Sequence, residues 1–235
     1  MIQVDGLVHR YGDTAAVDGI DLRIDDGECV VLAGANGSGK TTLVRHFNGL
    51  LEPDDGSVSV NGIDVDESLV AARTAVAMVF QHPEDQLVAA TVGADVAFGP
   101  ENLGLSHDDI DARVRESLAA VNLDGREDER VDALSGGEVE RLAIAGALAM
   151  DPDHLVLDEP FTGLDEPSRQ SVLSRLRELR ASGTSLVVVT HDLRDVTELA
   201  DRVVVLASGR VALDDTPEAA TDRLADLGVR PPPSC

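Results

Sequence analysis

The sequence predicts an α/β fold in which helices cover a central parallel sheet, with an antiparallel β edge and an inserted helical subdomain. Three observations lead to this prediction. Short apolar runs without polar alternation recur along the chain, helical patterns separate them, and two other stretches alternate apolar and polar residues. With 235 residues, 43% of them apolar, the chain is long enough to bury a core of this kind.

The central sheet is predicted from apolar runs whose length and composition are typical of strands buried on both faces. These runs are residues 29–33, 75–80, 155–157, 185–190 and 203–206. Helical patterns lie between them, including residues 41–48 and 167–181, and Gly183 ends the second pattern in the manner of a helix C-cap.

The antiparallel edge is predicted from residues 2–26 and 57–65. Both stretches alternate apolar and polar side chains, and both contain turn signals, Asp26-Gly27 in the first and Asn61-Gly62 in the second. Such alternation indicates strands with one face buried and one face in water.

The helical subdomain is predicted at residues 84–150, which have helical periodicity and no convincing strand. Within it, residues 106–120 form an acidic pattern typical of an exposed amphipathic helix. The prediction is a single domain with a core at residues 1–83 and 151–228, the helical subdomain at 84–150, and a frayed tail at 229–235.

The charge of the chain bears on its partners and on the medium in which it works. The net charge of −25 argues against a nucleic-acid partner, which needs a basic surface. Self-repulsion of this size indicates a cytosol rich in screening salt, as in a halophile.

Cys29 and Cys235 lack metal-ligand spacing and are expected to be unpaired thiols in a reducing compartment. Without an apolar leader or span, the chain is expected in the cytosol or held at a membrane by a partner.

The most specific motif is a phosphate-binding loop between a predicted strand and a predicted helix. Its Lys40 is the only lysine in the chain, beside 18 arginines, and a compact ammonium suits the bridging of two phosphates better than a planar guanidinium does. Backbone N–H groups are expected to contact the β-phosphate, and the Thr41 hydroxyl to contact Mg²⁺. The predicted ATP-binding residues here are Gly34, Ala35, Asn36, Gly37, Ser38, Gly39, Lys40, Thr41 and Thr42.

Two acids follow the apolar run at 155–157. A parallel strand delivers its last residue to the sheet edge that carries the phosphate loop, so Asp158 is expected to orient Mg²⁺. Glu159 lies one residue further on, and we expect it to act as the general base for the attacking water.

A second anion site is predicted at Ser135, Gly136, Gly137 and Glu138, just before a helical pattern over 139–150. Two glycines at a helix start leave backbone N–H groups accessible, and the Ser135 hydroxyl adds a donor. An ordinary helix cap or linker is the alternative interpretation of these residues.

The motifs together resemble the nucleotide-binding domain of ABC ATPases over nearly the whole chain. The matching segments, in order, are 34–41, 134–138, 155–160, 163–165 and 189–192. In that family the segment that matches 134–138, the signature loop, closes in one protomer on the ATP held by the other. The resemblance therefore implies a head-to-tail pair with two composite sites, formed by two copies of this chain or by a sister subunit.

The resemblance also implies roles for four further residues. Tyr11 matches the aromatic that stacks on adenine, and Gln81 matches the glutamine that contacts Mg²⁺ and the attacking water. Asp165 matches the acid that crosses the dimer interface, and His191 the switch histidine that contacts the γ-phosphate.

Two positions depart from the family pattern. Glu138 stands where glutamine is commoner, and Phe161 stands where a small serine or threonine is usual.

Four shorter segments resemble the corresponding segments in the ATPases of energy-coupling-factor (ECF) importers, which serve cobalt, nickel and biotin. These segments are residues 45–51, 80–87, 91–104 and 142–146. The resemblance implies a transmembrane partner at the cytoplasmic face of the membrane, and Glu84, Asp85 and Asp95 would suit arginines of that partner. A merely solvated acidic face remains the alternative for these three acids.

Other interpretations of the whole chain stay open at the level of sequence. It could serve another class of ABC transporter, act as a soluble ABC ATPase in DNA repair or translation, or form a catalytically silent regulatory half. Because Ser135, Glu159 and His191 are all present, we expect an active ATPase.

Overall fold

The computed structural model describes residues 1–232, so Cys235 and the end of the predicted tail lie outside the described residues. Its strands form two sheets. They are β1 (Ile2–Tyr11), β2 (Thr14–Ile24), β3 (Cys29–Ala33), β4 (Asp55–Val60), β5 (Ile63–Asp64), β6 (Val76–Val79), β7 (His154–Asp158), β8 (Ser185–Thr190), β9 (Arg202–Ala207) and β10 (Arg210–Asp215).

The larger sheet has the order β10-β9-β3-β8-β7-β6. Every neighbouring pair in it is parallel except β10 with β9. The smaller sheet, β2-β1-β4-β5, is antiparallel. Asn61 and Gly62 form the two-residue turn that pairs β4 with β5, as the turn signal predicted, whereas Asp26-Gly27 connects β2 to β3 and so leads from one sheet to the other.

The helices are α1 (Lys40–Val44), α2 (Leu69–Ala75), α3 (Val92–Asn102), α4 (His107–Ala120), α5 (Gly136–Ala149), α6 (Glu166–Ala181) and α7 (Pro217–Leu224). Short 3₁₀ turns lie at Pro83–Asp85, Val131–Ala133 and Ala225–Leu227. Helices α3, α4 and α5 pack on one another within the segment predicted to be helical.

The parallel sheet is the middle layer of the molecule. On β3, Val31 packs with the helices on one face, while Val30 and Leu32 pack with Phe47 and the antiparallel sheet on the other. Both faces are therefore buried, which explains why these strands are continuously apolar.

The predicted α/β fold class is confirmed, and most differences lie at the ends of helices and strands. Strands β3 and β8 have the predicted bounds. Helix α1 is shorter than the predicted 41–48, because after Val44 the backbone tightens into turns with bonds between residues three apart, such as the His46 N–H to the Leu43 carbonyl at 3.1 Å. Strand β10 and helices α2 and α7 were not individually predicted.

The first residues of the predicted frayed tail are bonded into the fold. Val229 is buried, and the Arg230 N–H donates to the His191 carbonyl at 3.0 Å. Within residues 1–232, no helix combines the length and the apolar character needed to cross a membrane.

Candidate functional site

A cleft of about 460 Å³ opens at the carboxyl end of the parallel sheet, where β3 and β7 end. It is lined by Tyr11, Ala16, the loop and helix start from Asn36 to Thr42, Gln81, Asp158 and Glu159. The fold thus brings together side chains that are up to about 150 positions apart in sequence, in the place where parallel α/β sheets bind their ligands.

The phosphate-binding loop runs from the end of β3 into α1. Gly39, which precedes the helix, has φ of 105°, and a Cβ atom there would lie 2.3 Å from the Ala16 carbonyl oxygen. Only glycine fits this close approach of two backbones. The loop also buries the Ser38 hydroxyl, which has no hydrogen-bond partner among residues 1–232 and so keeps its donor for a ligand.

Lys40 points back into its own loop. Its Nζ donates to the carbonyls of Gly34 at 2.8 Å and Ala35 at 3.1 Å, which leaves one of its three hydrogens for a phosphate. Burial lowers the pKa of Lys40, and the charges of Glu159 and Asp158 act in the opposite direction.

Thr41 and Asp158 form a pair of oxygen donors at the floor of the cleft. The Thr41 hydroxyl donates to Asp158 Oδ2 at 2.7 Å, while the buried Oδ1 has no partner within the described chain. Burial raises the pKa of Asp158, and the Thr41 hydrogen bond opposes that rise. An orphaned carboxylate oxygen beside a hydroxyl is the donor set that Mg²⁺ prefers, so these residues fit the predicted ion.

Glu159 is held by its backbone and by both carboxylate oxygens. Its φ of 55° is in the left-handed region, where residues other than glycine are uncommon and strained. Its N–H donates to the Val189 carbonyl at 2.9 Å; Oε1 lies 2.8 Å from His191 Nδ1, and the Thr190 hydroxyl donates to Oε2 at 3.3 Å. The carboxylate is 10% exposed and the His191 side chain 44% exposed.

Gln81 lies at the mouth of the cleft, just beyond β6 and Phe80. The turn that follows is closed by Gln86, whose Oε1 accepts the Phe80 N–H at 2.9 Å. The position of Gln81 therefore depends on a second glutamine five residues further on, which the sequence did not single out.

Tyr11 presents an open ring face to the cleft, with 53% of the residue exposed. The ring packs edge-on against His9, at 4.8 Å between ring centroids, and His9 packs against His46 at 4.9 Å. The buried His46 contacts the Thr42 carbonyl through Nδ1 at 2.8 Å. Three rings thus connect Tyr11 to the helix of the phosphate loop, although the sequence assigned no role to either histidine.

The second predicted anion site lies at the start of α5 and does not line this cleft. The N–H and the hydroxyl of Ser135 both donate to Glu138 Oε2, each at 2.7 Å. Arg126 pairs with the other oxygen of Glu138, and these contacts hold the pKa of Glu138 at about 2. The predicted free Ser135 donor is therefore occupied in this conformation, and Glu138 acts as a helix cap bound to an arginine.

Asp165 lies beside the second anion site. It caps α6, accepting the Ser168 N–H at 3.0 Å. Hydrogen bonding by the Ser168 side chain, and then by its N–H, lowers the pKa of Asp165. A Cβ on Gly137 would lie 2.6 Å from the Ser168 hydroxyl, so the starts of α5 and α6 are in close contact. The second departure from the family pattern, Phe161, packs against the core and fills space there.

The residues that sequence reasoning missed at this site are Gln86, Arg126, His9 and His46. Each acts on a predicted residue through a fold contact. Arg126 could have been anticipated only by pairing it with Glu138, twelve positions away and outside any helical spacing, so the sequence carried no local signal.

Glu140 is a buried acid on α5. Its Oε1 has no partner in the part of the chain that the structure describes, and burial together with the charge of Glu84 raises the pKa of Glu140 to about 8. The folded protein therefore favours the neutral acid.

Glu140→Gln should increase stability at pH 8. The unfolded chain releases this proton above its usual pKa of 4.5, but the folded chain retains it up to about 8, so folding takes up a proton and the unfolding free energy falls across that range. We expect the variant to gain on the order of 2 kcal/mol at pH 8 and nothing at pH 4.5. Denaturant unfolding at both pH values measures this. Glu116→Gln, on an exposed turn of α4, is the matched control, and an equal gain in both variants would contradict the prediction.

The glycine-rich loop ending in Lys40-Thr41 lies between β3 and α1, and Asp158 reaches it from the end of β7, two strands along the same sheet. This arrangement defines a nucleoside-triphosphate site of the P-loop class. Residues 17–162 match the family model described as ABC transporter. The chain belongs to the ABC transporter family, and it is an ATPase.

Relatives match the chain over most of its length. An ABC transporter ATP-binding protein of Halobacterium salinarum is 69% identical, covering 99% of this chain and 100% of that protein. An energy-coupling factor transporter ATP-binding protein, EcfA, of Methanothermobacter thermautotrophicus is 45% identical, covering 92% of this chain and 71% of that protein. A cobalt import ATP-binding protein, CbiO, of Syntrophus aciditrophicus is also 45% identical, covering 93% of this chain and 79% of that one.

Solved structures share the fold. CbiO1 of Clostridium perfringens, described as part of the ABC transporter complex CbiONQ, has a TM-score of 0.83 and 34% identity, covering 97% of this chain and 96% of that chain. A dimeric ATP-binding cassette bound to ADP and phosphate has a TM-score of 0.82 and 27% identity, covering 92% of this chain and 98% of that chain. The chain is therefore the ATPase subunit of an ABC transporter.

Proposed function

We propose that this chain energises an ECF-type importer by binding and hydrolysing ATP at a site that a second protomer completes. The observation that carries the proposal is the single cleft shared by Tyr11, the phosphate loop, Gln81, Asp158 and Glu159. The relatives named EcfA and CbiO support the choice of importer class.

ATP is proposed to lie along this cleft. Adenine stacks on the open face of Tyr11, and the β-phosphate is held by the backbone N–H groups that lead into α1. The remaining hydrogen of the Lys40 ammonium reaches the γ-phosphate. Mg²⁺, when bound, neutralises phosphate charge, and Thr41, Asp158 and Gln81 are its proposed ligands.

Glu159 is proposed as the general base. It takes a proton from the water that attacks the γ-phosphorus, the bond between that phosphorus and the bridging oxygen breaks, and ADP and phosphate leave. His191 is proposed to fix the carboxylate through the 2.8 Å contact with its Nδ1 and to contact the γ-phosphate with its other ring nitrogen.

The second protomer is proposed to supply Ser135, Gly136, Gly137 and Glu138. Two observations support this. These residues do not line the phosphate cleft of their own chain, and they adjoin Asp165, the acid expected at a dimer interface. Closure on ATP would rotate the Ser135 hydroxyl from Glu138 to the γ-phosphate, and Arg126 would continue to neutralise Glu138.

A transmembrane subunit is proposed to dock in a groove of about 240 Å³ between the core and the helical subdomain. Val88 and Phe98 line the groove and are exposed although apolar. The exposed Glu84 and Asp85 lie at the 3₁₀ turn nearby and could receive basic side chains. Asp95 could not, because it is buried and its Oδ1 already accepts the N–H groups of Val88 and Ala89, at 2.7 and 2.9 Å. The expected role of Asp95 as a partner contact is not supported.

The cargo is proposed to be cobalt, nickel or biotin, and the docked chain is proposed to lie at the cytoplasmic face of the membrane. Affinity purification of the tagged chain from membranes of its source organism tests both points. We expect a multispanning membrane protein and, bound to it, the component that selects the cargo. Recovery of ribosomes or DNA-bound proteins instead would contradict transport.

Variants in the groove test whether the membrane partner docks there. Phe98→Asp should lose the membrane partner while keeping ATP binding, because a charge on the groove wall opposes burial. Val70→Asp is the matched control, since Val70 is exposed on α2 and does not line the groove.

We also propose that the chain is adapted to high salt, as its net charge of −25 and its relative in Halobacterium salinarum suggest. Its melting temperature should rise by about 10 °C or more from millimolar to molar KCl, because salt screens the repulsion that destabilises the folded state. Differential scanning calorimetry measures this, with sucrose as a control that stabilises proteins without screening charge. A flat response to KCl would rule out this adaptation.

A further inference from the structure

The segment 228–230 follows α7 and crosses to the loop that carries His191. The Arg230 N–H donates to the His191 carbonyl and the Leu193 N–H donates to the Arg230 carbonyl, each at 3.0 Å. These two hydrogen bonds form a parallel β-bridge between Arg230 and Asp192. The side chains of the same two residues form an ion pair at 3.5 Å. The backbone on both sides of Asp192 is thereby fixed.

The segment is itself anchored at two points. Val229 is 2% exposed and belongs to the same buried cluster as Leu193. Gly228 ends the turn after α7 with a φ of 72°, and a Cβ there would lie 3.3 Å from the Cβ of Ala35 in the phosphate loop. One short segment therefore contacts both the phosphate loop and the His191 loop.

The His191 ring is held through its own hydrogen bond and through the backbone of its loop, where the Thr190 hydroxyl accepts the Asp192 N–H at 3.1 Å. Its side chain is 44% exposed, and Glu159 provides its side-chain hydrogen bond. After β8 the chain continues in turns through residue 199, without a regular helix or strand to fix the backbone. Of these backbone contacts within residues 1–232, only those of segment 228–230 hold the carbonyl of His191 itself, through the Arg230 N–H.

We propose that the segment 228–230 is a positioning element for His191, acting through the Arg230 backbone amide. It holds the histidine at the distance from the phosphate loop at which Glu159 and the γ-phosphate can both be reached. The proposal rests on the proposed role of His191 in hydrolysis.

Arg230→Pro tests the amide directly, because proline removes the N–H that donates to His191. We expect kcat for ATP hydrolysis by the full chain to fall about fivefold, the usual effect of one lost hydrogen bond, with the KM for ATP within twofold of wild type. Arg230→Ala removes the ion pair but keeps both backbone hydrogen bonds, and it should retain at least half of the wild-type kcat.

A double-mutant cycle separates positioning from general stability. In a His191→Ala background, Arg230→Pro should cause no further loss of kcat, because the residue it positions is gone. Additive loss, wild-type kcat in Arg230→Pro, or an equal loss in Arg230→Ala would each overturn the proposal. If Arg230→Pro does not fold, Val229→Ala loosens the same anchor and should also lower kcat without changing KM; an unchanged kcat there would overturn it too.

The experiment distinguishes failure of the role proposed for His191 from failure of the role proposed for segment 228–230. A His191→Ala variant with normal turnover would remove His191 from the proposed function. A slow His191→Ala variant together with a normal Arg230→Pro variant would remove only the positioning role of segment 228–230.

Discussion

Glu159→Gln is expected to lower kcat for ATP hydrolysis by about 10²–10⁴-fold, the range that a positioned general base contributes. Glutamine has the shape of the native side chain, and its carbonyl oxygen can accept the hydrogen bonds from His191 or Thr190. It cannot take a proton from water. Phosphate release at saturating Mg-ATP measures the loss.

The same variant should still bind ATP and should accumulate as a dimer, because the composite site closes but does not turn over. Size-exclusion chromatography with light scattering, with and without Mg-ATP, detects this species. Glu166→Gln, at the exposed first turn of α6, is the matched control and should hydrolyse ATP normally without trapping a dimer. Normal turnover by Glu159→Gln would remove Glu159 from the role of base.

The sequence predicted the fold well wherever burial on both faces left a continuous apolar run. Strands β3 and β8 are both wholly buried and have the predicted ends. Glu28 and the glycine-rich loop flank β3, and Thr184 and His191 flank β8. Strand β10 was missed because only Leu213 of its six residues is buried, so its apolar pattern is weak. Helix α1 ended early because the turns around His46 follow contacts with His9 and the antiparallel sheet, which no local pattern encodes.

The functional site also contains residues that the sequence predicted and supporting contacts that it did not. Lys40, Thr41, Asp158 and Glu159 could be predicted because each lies at a fixed place relative to a strand end or a loop motif, and the structure places all four on one cleft. Their supporting contacts join residues whose spacing matches no helix or strand period, such as Arg126 with Glu138. Arg126, for example, lies in the loop between α4 and α5, and its contact is set by how that loop folds onto α5, so it became visible only in the folded chain.

Lys40→Ala is expected to weaken ATP binding by about 100-fold, the usual effect of removing a charge-assisted contact to phosphate from a partly buried site. The native ammonium is held in place by the Gly34 and Ala35 carbonyls, so its position is fixed before ATP arrives. Alanine removes the charge and leaves both carbonyls facing the γ-phosphate. Titration with a fluorescent ATP analogue measures the change.

Lys40→Arg distinguishes charge from shape. Arginine keeps the positive charge, but its planar fork cannot donate to two loop carbonyls and a phosphate from one compact centre, so we expect it to restore less than a tenth of the lost affinity. Full rescue would mean that charge alone matters.

Because Lys40 is the only lysine, an amine-reactive reagent has one side-chain target, and protection by Mg-ATP in the native chain places the phosphate on this nitrogen. Binding and labelling must then agree, since both report on the same ammonium.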